Sequence, residues 1–410
     1  MKFEEIENII RIIQNGNSEN YYINNKGLSS LGAVIFYPKK AEESRSQKIK
    51  ELLKETFNEE EYKIILQSLR KYHFTSYYTG DEIINFQIDL LKKNGIVPKR
   101  ILEPSAGNGA YVQRLKKEFP EAKIVALEPD LLSYKILSLN NQKNKNVECI
   151  NSSFEEYYYE NSPKEKFDLV ISNIPFGDFS ISKSFKHEYL TEKEKNVNVF
   201  FNKYCNEILN EKGFSFILTS KNFLDKGSYQ DVRESIISKA DLINAFRFNN
   251  ELFKNEKTKV VSDLIIYQRN ENKKIENISQ EEKYFINTVN VEIEENIFPI
   301  NQFFHEKMNQ INGDLAHGIF HQKPDLTIVP NNISLKEYLE KGLETNLSLG
   351  ELSSDLKNNK KEILEEKNIN PSKNQNDIVL DNIKIENEDV SNHKSISINK
   401  DSNNKITTDD

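Results

Sequence analysis

Short apolar runs alternate with helically spaced apolar positions through the middle of the chain. The runs predict seven strands, at residues 101–102, 123–127, 146–150, 167–172, 214–219, 242–248 and 263–268. The helical spacing predicts helices at residues 110–118, 131–139, 199–210 and 229–239. Strands that are joined by helices indicate an α/β fold with a parallel, doubly wound sheet. A short connection joins the last two strands, which predicts a hairpin-like edge with one antiparallel strand.

The same pattern divides the chain into four regions. Residues 1–72 carry helical apolar spacing and are predicted to be an N-terminal helical region, and residues 73–270 form the α/β domain. Residues 271–345 are predicted to be a small C-terminal segment that recognises a target or caps the domain. Residues 346–410 are predicted to be a disordered polar tail.

Composition supports the prediction of a disordered tail. Residues 351–410 contain no Phe, Tyr or Trp and have 12 Asn in 60 positions. Such a segment buries too little apolar surface to offset its chain entropy.

The formal net charge of the whole chain is −8. Any nucleic-acid surface must therefore be a local basic patch.

Cysteine content and hydropathy indicate the cellular compartment that we expect for the protein. Cys149 and Cys205 have no metal-ligand spacing, so we expect reduced thiols, no metal site and a cytoplasmic protein. We expect neither a signal peptide nor a membrane span, because no stretch approaches about 18 consecutive apolar residues.

A glycine-containing turn follows the first strand. It is made by Glu103, Pro104, Ser105, Gly107 and Gly109. Such a turn between a strand and a helix lets the backbone pass close to a ligand, although a tight turn needs the same residues.

Glu128 ends the second strand, where an acidic side chain can reach ribose hydroxyls. Phe154 follows the third strand, where an aromatic face can stack on an adenine ring. A solvated Glu and a packed Phe are the structural alternatives.

The fourth strand ends in Asn173-Ile174-Pro175-Phe176, at the edge where open parallel sheets place their chemistry. The Asn173 side chain and the Ile174 backbone each offer a carbonyl acceptor. Pro175 stiffens the turn, and Phe176 offers a face to a flat base. The loop is suited to hold a planar amino group by positioning and electrostatics. An ordinary Asn-Pro loop with Phe in the core is the alternative.

In this order the motifs resemble those of the gamma-class DNA adenine-N6 methyltransferases. The resemblance implies S-adenosylmethionine as cofactor, a Rossmann-like methyltransferase sheet and DNA as partner. It implies cofactor contacts at the turn, at Glu128 and at Ser153-Phe154. Tyr78-Thr79 matches a further cofactor motif of the family, and Asn173–Phe176 matches its catalytic loop. The chain departs from the family pattern at Gly80, Ser153 and Ile174.

More closely, the chain resembles methyltransferase modules of phage and conjugative-element proteins. Their Ser-Asn-Ile-Pro-Phe-Gly form matches residues 172–177. The resemblance implies a role in a mobile element, with a helicase or other mobile-element proteins as partners.

Adenine in a duplex must be flipped out before its N6 can be reached. The aromatic residues and lysines of residues 178–198 suit stacking and phosphate contact, and a solvated loop is the alternative. Two other functions stay open from the sequence. The chain could methylate RNA or a protein glutamine amide, or it could be a non-catalytic module that shields DNA from restriction.

Overall fold

The computed structural model describes residues 35–36, 43–72, 79–161, 166–177, 180–181, 190–253, 259–320 and 322–347. All of them fall within one compact unit. Most of the first 42 residues, Tyr78 and the predicted tail from residue 348 onward lie outside the described residues.

Helices and strands alternate through most of the described chain. The helices are α1 (Glu43–Thr56), α2 (Glu59–Tyr72), α3 (Asp81–Lys93), α4 (Ala110–Glu118), α5 (Leu131–Asn141), α6 (Phe154–Asn161), α7 (Val197–Glu207), α8 (Asn222–Asp225), α9 (Gln230–Ile237), α10 (Gln280–Ile286), α11 (Gln302–Glu306) and α12 (Leu335–Gly342). The strands are β1 (Arg100–Glu103), β2 (Lys123–Leu127), β3 (Val147–Ile150), β4 (Phe167–Asn173), β5 (Leu209–Ser220), β6 (Ala240–Phe248), β7 (Ser262–Arg269), β8 (Thr288–Ile293), β9 (Asn296–Asn301), β10 (Ile311–Asn312), β11 (Asp314–Phe320) and β12 (Lys323–Val329).

The central sheet has the strand order β10-β6-β7-β5-β4-β1-β2-β3. The predicted doubly wound sheet of seven strands is confirmed, with the two-residue strand β10 added beside β6. Only β7 is antiparallel to its neighbours within this sheet. The predicted antiparallel strand is therefore present. It lies between β5 and β6 rather than at the edge, because β7 pairs with both of them.

Alternate residues of the buried strands enter the cores on opposite faces of the sheet. In β1, Ile101 packs in one cluster with α3 and α4, whereas Leu102 packs in another with α6 and α7. In β4, Leu169 and Val170 divide between the same two clusters. A strand with both faces covered must be apolar throughout, which explains the continuous apolar runs in the sequence.

The helices α1 and α2 pack against α5. Ile49, Leu53 and Ile65 share a buried cluster with Leu132 and Ile136 of that helix. Lys135 of α5 forms an ion pair with Glu61 at 2.8 Å, and Ser68 donates a hydrogen bond to the Asp130 carboxylate. These contacts fix the helical pair beside the end of β2.

Residues after 270 extend the same unit. Strand β10 joins the main sheet, and β8–β9 and β11–β12 form two hairpins. In α12, Tyr338 and Leu339 pack in the cluster that also contains Phe86 of α3. Leu347 is 1% exposed in that cluster, so the described structure continues past the predicted boundary at residue 346. None of the helices in the described part of the chain is long and apolar enough to cross a membrane.

Candidate active site

One edge of the sheet collects most of the predicted site residues. Strands β1, β2 and β4 are parallel neighbours, so their carboxyl ends lie on the same edge. Glu103 is the last residue of β1, Glu128 follows β2, and Asn173 is the last residue of β4. The motifs that lie far apart in the sequence therefore meet here.

A buried carboxyl group links the glycine turn to the predicted catalytic loop. Glu103 is fully buried, and its Oε1 accepts hydrogen bonds from Ser172 Oγ at 2.6 Å and from the Ser105 amide at 3.2 Å. Its Oε2 is buried and accepts no hydrogen bond from the described residues. Because Ser172 directly precedes Asn173, this carboxyl group joins the two motifs.

A second carboxyl group holds the turn from the other side. Glu128 is 7% exposed, and its two oxygens accept hydrogen bonds from the backbone amides of Gly107 and Asp130, each at 2.8 Å. The Asp130 side chain caps helix α5 by accepting a hydrogen bond from the Ser133 amide at 2.8 Å. The acid that the sequence singled out thus lies against the turn.

The turn itself requires glycine at two positions. Gly107 has φ of 55° and Gly109 has φ of 97°, both in the left-handed region that favours glycine. A Cβ atom at Gly109 would lie 2.8 Å from Leu137 Cδ1 of α5. The glycines therefore let the backbone turn tightly between β1 and α4 and pass close to α5.

Thr79 lies beside the same turn, while its predicted companion Tyr78 is outside the described residues. The Thr79 side chain is hydrogen-bonded to the Tyr111 hydroxyl, which also accepts a hydrogen bond from Gln87 Nε2 at 2.9 Å. Burial raises the pKa of Tyr111, and the nearby Glu103 carboxyl adds to this effect. The group connects α3, α4 and β1 behind the turn.

Burial raises the pKa of both carboxyl groups above their ordinary value. Desolvation is the largest cause in each case, and the pKa of Glu103 and of Glu128 rises from 4.5 to about 8. Between these values the folded chain binds more protons than the unfolded chain, so the free energy of unfolding decreases as the pH rises.

We expect the unfolding temperature to fall between pH 5 and pH 8, and Glu103→Gln to reduce this fall. A neutral amide needs no proton to remain buried, so the variant should gain stability relative to the wild type as the pH rises. Thermal unfolding at several pH values measures the effect.

Glu118→Gln is a suitable control for this series. The pKa of Glu118 is lowered, chiefly by its hydrogen bond from Lys92, so its replacement should leave the fall between pH 5 and pH 8 in place. An equal slope for wild type and Glu103→Gln would contradict the predicted protonation of Glu103.

Phe154, the aromatic residue that follows β3, is packed in the core, as in the structural alternative that the sequence left open. Phe154 is 1% exposed, and its ring packs against Phe200, Phe201 and Tyr158 at centroid distances of 5.7, 5.0 and 6.1 Å. Ser153 is 6% exposed, and its Oγ accepts a hydrogen bond from the Glu156 amide at 3.3 Å. The two residues thus begin helix α6, and their contact with a cofactor stays a prediction.

The predicted catalytic loop follows β4 directly. The Ile174 amide donates a hydrogen bond to the Leu218 carbonyl at 3.0 Å, and the Ile174 side chain is 2% exposed. Pro175 is half-buried. The ring of Phe176 is 4% exposed and packs edge-to-face on Phe253, with centroids 5.6 Å apart. Stacking of a base on Phe176 would require a change in this packing, and it stays a prediction.

Part of the predicted substrate-binding stretch is described. Lys193 forms an ion pair with Asp231 at 2.8 Å, and Lys195 forms one with Glu192 at 2.5 Å. All four side chains are about one-third exposed or more, so these ion pairs contribute little to stability, and contact of the two lysines with phosphate stays a prediction. Residues 178–179 and 182–189 of the stretch lie outside the described residues.

The sequence analysis assigned no role to three polar residues that organise this edge. Ser172 bonds the Glu103 carboxyl, and Asn198 and Thr219 lie behind the catalytic loop at 3% and 0% exposure. The available signal for Asn198 was the recurrence of asparagine at positions 198, 202 and 206, every four residues, on the buried face of helix α7.

The sequence that contains this site matches a known family. A family model described as N-6 DNA Methylase matches residues 54–329, which is more than half of the chain. The chain therefore belongs to the N-6 DNA methylase family.

Two curated proteins are similar over part of their length. "Defense against restriction protein B" of Escherichia phage P1 is 22% identical over 196 residues, which is 48% of this chain and 8% of that protein. "Type II methyltransferase M.CvrRI" of Paramecium bursaria Chlorella virus XZ-6E is 25% identical over 170 residues, 41% of this chain and 42% of that protein. The chain thus spans less than half the length of either relative.

Solved structures of similar fold have low identity. One is described as a class I S-adenosylmethionine-dependent methyltransferase of Listeria monocytogenes, with 18% identity and a TM-score of 0.42 over 66% of this chain and 87% of that one. Another is described as a modification subunit of a type I restriction enzyme from Vibrio vulnificus YJ016, with 14% identity and a TM-score of 0.41 over 55% of this chain and 50% of that one.

Proposed function

We propose that the chain transfers the methyl group of S-adenosylmethionine to N6 of adenine in DNA. The observation that carries the proposal is the 2.6 Å hydrogen bond from Ser172 to Glu103, which joins the glycine turn to the strand that ends in Asn173. A methyl-transfer enzyme needs its cofactor turn and its acceptor-binding loop side by side. Membership of the N-6 DNA methylase family supports adenine N6 as the acceptor.

The residues at the turn fit S-adenosylmethionine, which carries a sulfonium and an ammonium group. Two buried carboxyl groups, Glu103 and Glu128, lie on either side of the turn. The Oε2 atom of Glu103 is buried and has no hydrogen-bond partner among the described residues, and a cationic ligand would stabilise the ionised form of this carboxyl group. When bound, the cofactor supplies an electrophilic methyl group. Glu128 would hold its ribose hydroxyls.

The catalytic loop binds and orients the acceptor nitrogen. The Asn173 side-chain carbonyl and the Ile174 backbone carbonyl accept hydrogen bonds from the two N–H groups of the adenine amino group. This geometry draws the nitrogen lone pair away from the ring and directs it toward the turn. Since the Ile174 amide is bound to Leu218, the peptide that joins Asn173 to Ile174 is already held in place. The contribution of the loop is therefore positioning and electrostatics.

Calorimetry with S-adenosylmethionine, followed by transfer of labelled methyl groups to unmethylated DNA, tests the proposal. We expect both binding and transfer. Binding without transfer to either duplex or single-stranded DNA would contradict the proposed activity. The absence of binding at millimolar cofactor would instead favour a non-catalytic, DNA-shielding module.

We propose further that the activity protects the DNA of a mobile element, in which a helicase or other element proteins would be partners. The similarity to a phage P1 protein named for defense against restriction supports this role. DNA from cells that express the chain should resist restriction enzymes that adenine methylation blocks. Complete digestion of that DNA by every such enzyme would contradict the role.

A further inference from the structure

The predicted catalytic loop is tethered at both of its ends by groups outside it. At its start, the Ile174 amide donates a hydrogen bond to the Leu218 carbonyl of β5 at 3.0 Å. Directly after it, the Gly177 carbonyl accepts a hydrogen bond from Asn198 Nδ2 of α7 at 2.6 Å. The second tether is a single buried side chain, so it can be removed without changing the loop sequence.

Asn198 is held so that its amide faces the loop. It is 3% exposed, and its Oδ1 lies 3.4 Å from Thr219 Oγ1, which donates to it. The backbone amide of Asn198 donates a hydrogen bond to Asn196 Oδ1 at 3.0 Å, and Asn196 thereby caps the start of α7. Because Thr219 adjoins Leu218 in β5, the same short piece of strand supports both tethers.

The backbone that follows the loop returns to the residues just before α7. The Ile181 amide donates a hydrogen bond to the Lys195 carbonyl at 2.8 Å, and Ser180 pairs with Asn196. These bonds join the two ends of the stretch that was predicted to contact substrate. Asn198 thus lies where the catalytic loop, these two ends and β5 meet.

We propose that Asn198 is a positioning residue for methyl transfer, an inference that rests on the proposed function. It fixes the backbone of residues 174–177, and with it the direction of the Ile174 carbonyl that receives the acceptor amino group. A misplacement of about 1 Å in such a group can cost about a hundredfold in rate. Asn198 itself does not contact the reacting atoms.

Asn198→Asp tests the role with a change of almost no volume. Assayed at a pH at which the new carboxyl group is ionised, the variant places a carboxylate oxygen against the Gly177 carbonyl oxygen, so the tether is lost. We expect kcat for DNA methylation to fall by about a hundredfold, with an unchanged dissociation constant for S-adenosylmethionine. A fall in kcat with an unchanged dissociation constant distinguishes a positioning role from a loss of the cofactor site.

Asn206→Asp is the matched control. Asn206 lies on the same buried face of α7, two turns away from the loop, and is 2% exposed. Its Nδ2 donates to the Asn202 carbonyl at 2.7 Å, and its Oδ1 accepts from Ser215 Oγ at 2.7 Å. Both variants place an acidic group in the same core, so they should lower the unfolding temperature by similar amounts. Only Asn198→Asp should lower kcat.

Equal kcat for the two variants would overturn the role of Asn198. If Asn198→Asp does not fold, Asn198→Ala removes the same donor without a charge, and wild-type kcat in that variant would overturn the proposal. A wild-type protein that binds S-adenosylmethionine and methylates no DNA would instead overturn the proposed function. The two failures are therefore distinguishable.

Discussion

Replacement of Asn173 by alanine is expected to lower methyl transfer by at least about a hundredfold, while S-adenosylmethionine binding stays close to that of the wild type. The side-chain carbonyl of Asn173 is one of the two acceptors proposed for the adenine amino group. Alanine removes this acceptor and leaves the Ser172–Glu103 hydrogen bond that supports the turn. Single-turnover methylation kinetics and cofactor calorimetry measure the two quantities.

Asn210→Ala is the control for this change. Asn210 is also half-buried, but it lies near the start of β5 and donates to Asp168 Oδ1 at 2.8 Å, at the opposite edge of the sheet. Its replacement should leave methyl transfer unchanged. Full activity of Asn173→Ala, or an equal loss in both variants, would contradict the assignment of the loop.

Arg247→Met is expected to destabilise the protein by about 3–5 kcal/mol. Arg247 of β6 is fully buried and donates to Asp263 at 2.7 and 2.8 Å and to Asp225 at 2.8 and 3.0 Å. Its guanidinium also lies 4.2 Å from the centroid of the Phe304 ring. Methionine would leave two buried carboxylates without their cation.

The same cluster attaches the residues after 270 to the sheet, because Asp225 Oδ1 also accepts a hydrogen bond from the Asn301 amide at 2.9 Å. Denaturant unfolding measures the loss of stability. Lys166→Met is the control, since its pair with Glu271 is more than one-third exposed on both sides and should contribute at most about 1 kcal/mol.

Adding Asp225→Asn and Asp263→Asn to the Arg247→Met variant should restore part of the stability, because no uncompensated charge then remains in the core. A cost for Arg247→Met no larger than that for Lys166→Met would contradict the expected importance of the buried pair.

Much of the sheet could be predicted from the sequence because the strands are short, apolar and separated by helices. Other elements were not predicted. In helix α3 the apolar residues Ile84, Phe86, Ile88 and Leu90 alternate along the sequence with the two-residue period of a strand, and the polar Gln87 is buried among them. Helix α7 was expected to extend to residue 210. It ends at Glu207, because β5 begins at Leu209, where its register with β4 shifts.

The site could be predicted where it is encoded by local motifs. The glycine turn and the Asn173 loop are contiguous in the sequence, and Glu128 follows at a spacing that the fold sets. The contacts of Asn198 and of Glu103 join residues 21 and 69 positions apart, and no local pattern encodes such pairs. The packing of Phe154 and Phe176 depends on helices and loops from other parts of the chain for the same reason.

Analysis of the nucleosides in DNA that the protein has methylated tests the central claim most directly. The DNA is incubated with labelled S-adenosylmethionine, digested to nucleosides and separated, with Asn173→Ala processed in parallel. We predict label in N6-methyladenine with the wild type and a loss of that label with the variant. Label in N4-methylcytosine, or equal label in N6-methyladenine from both proteins, would contradict it.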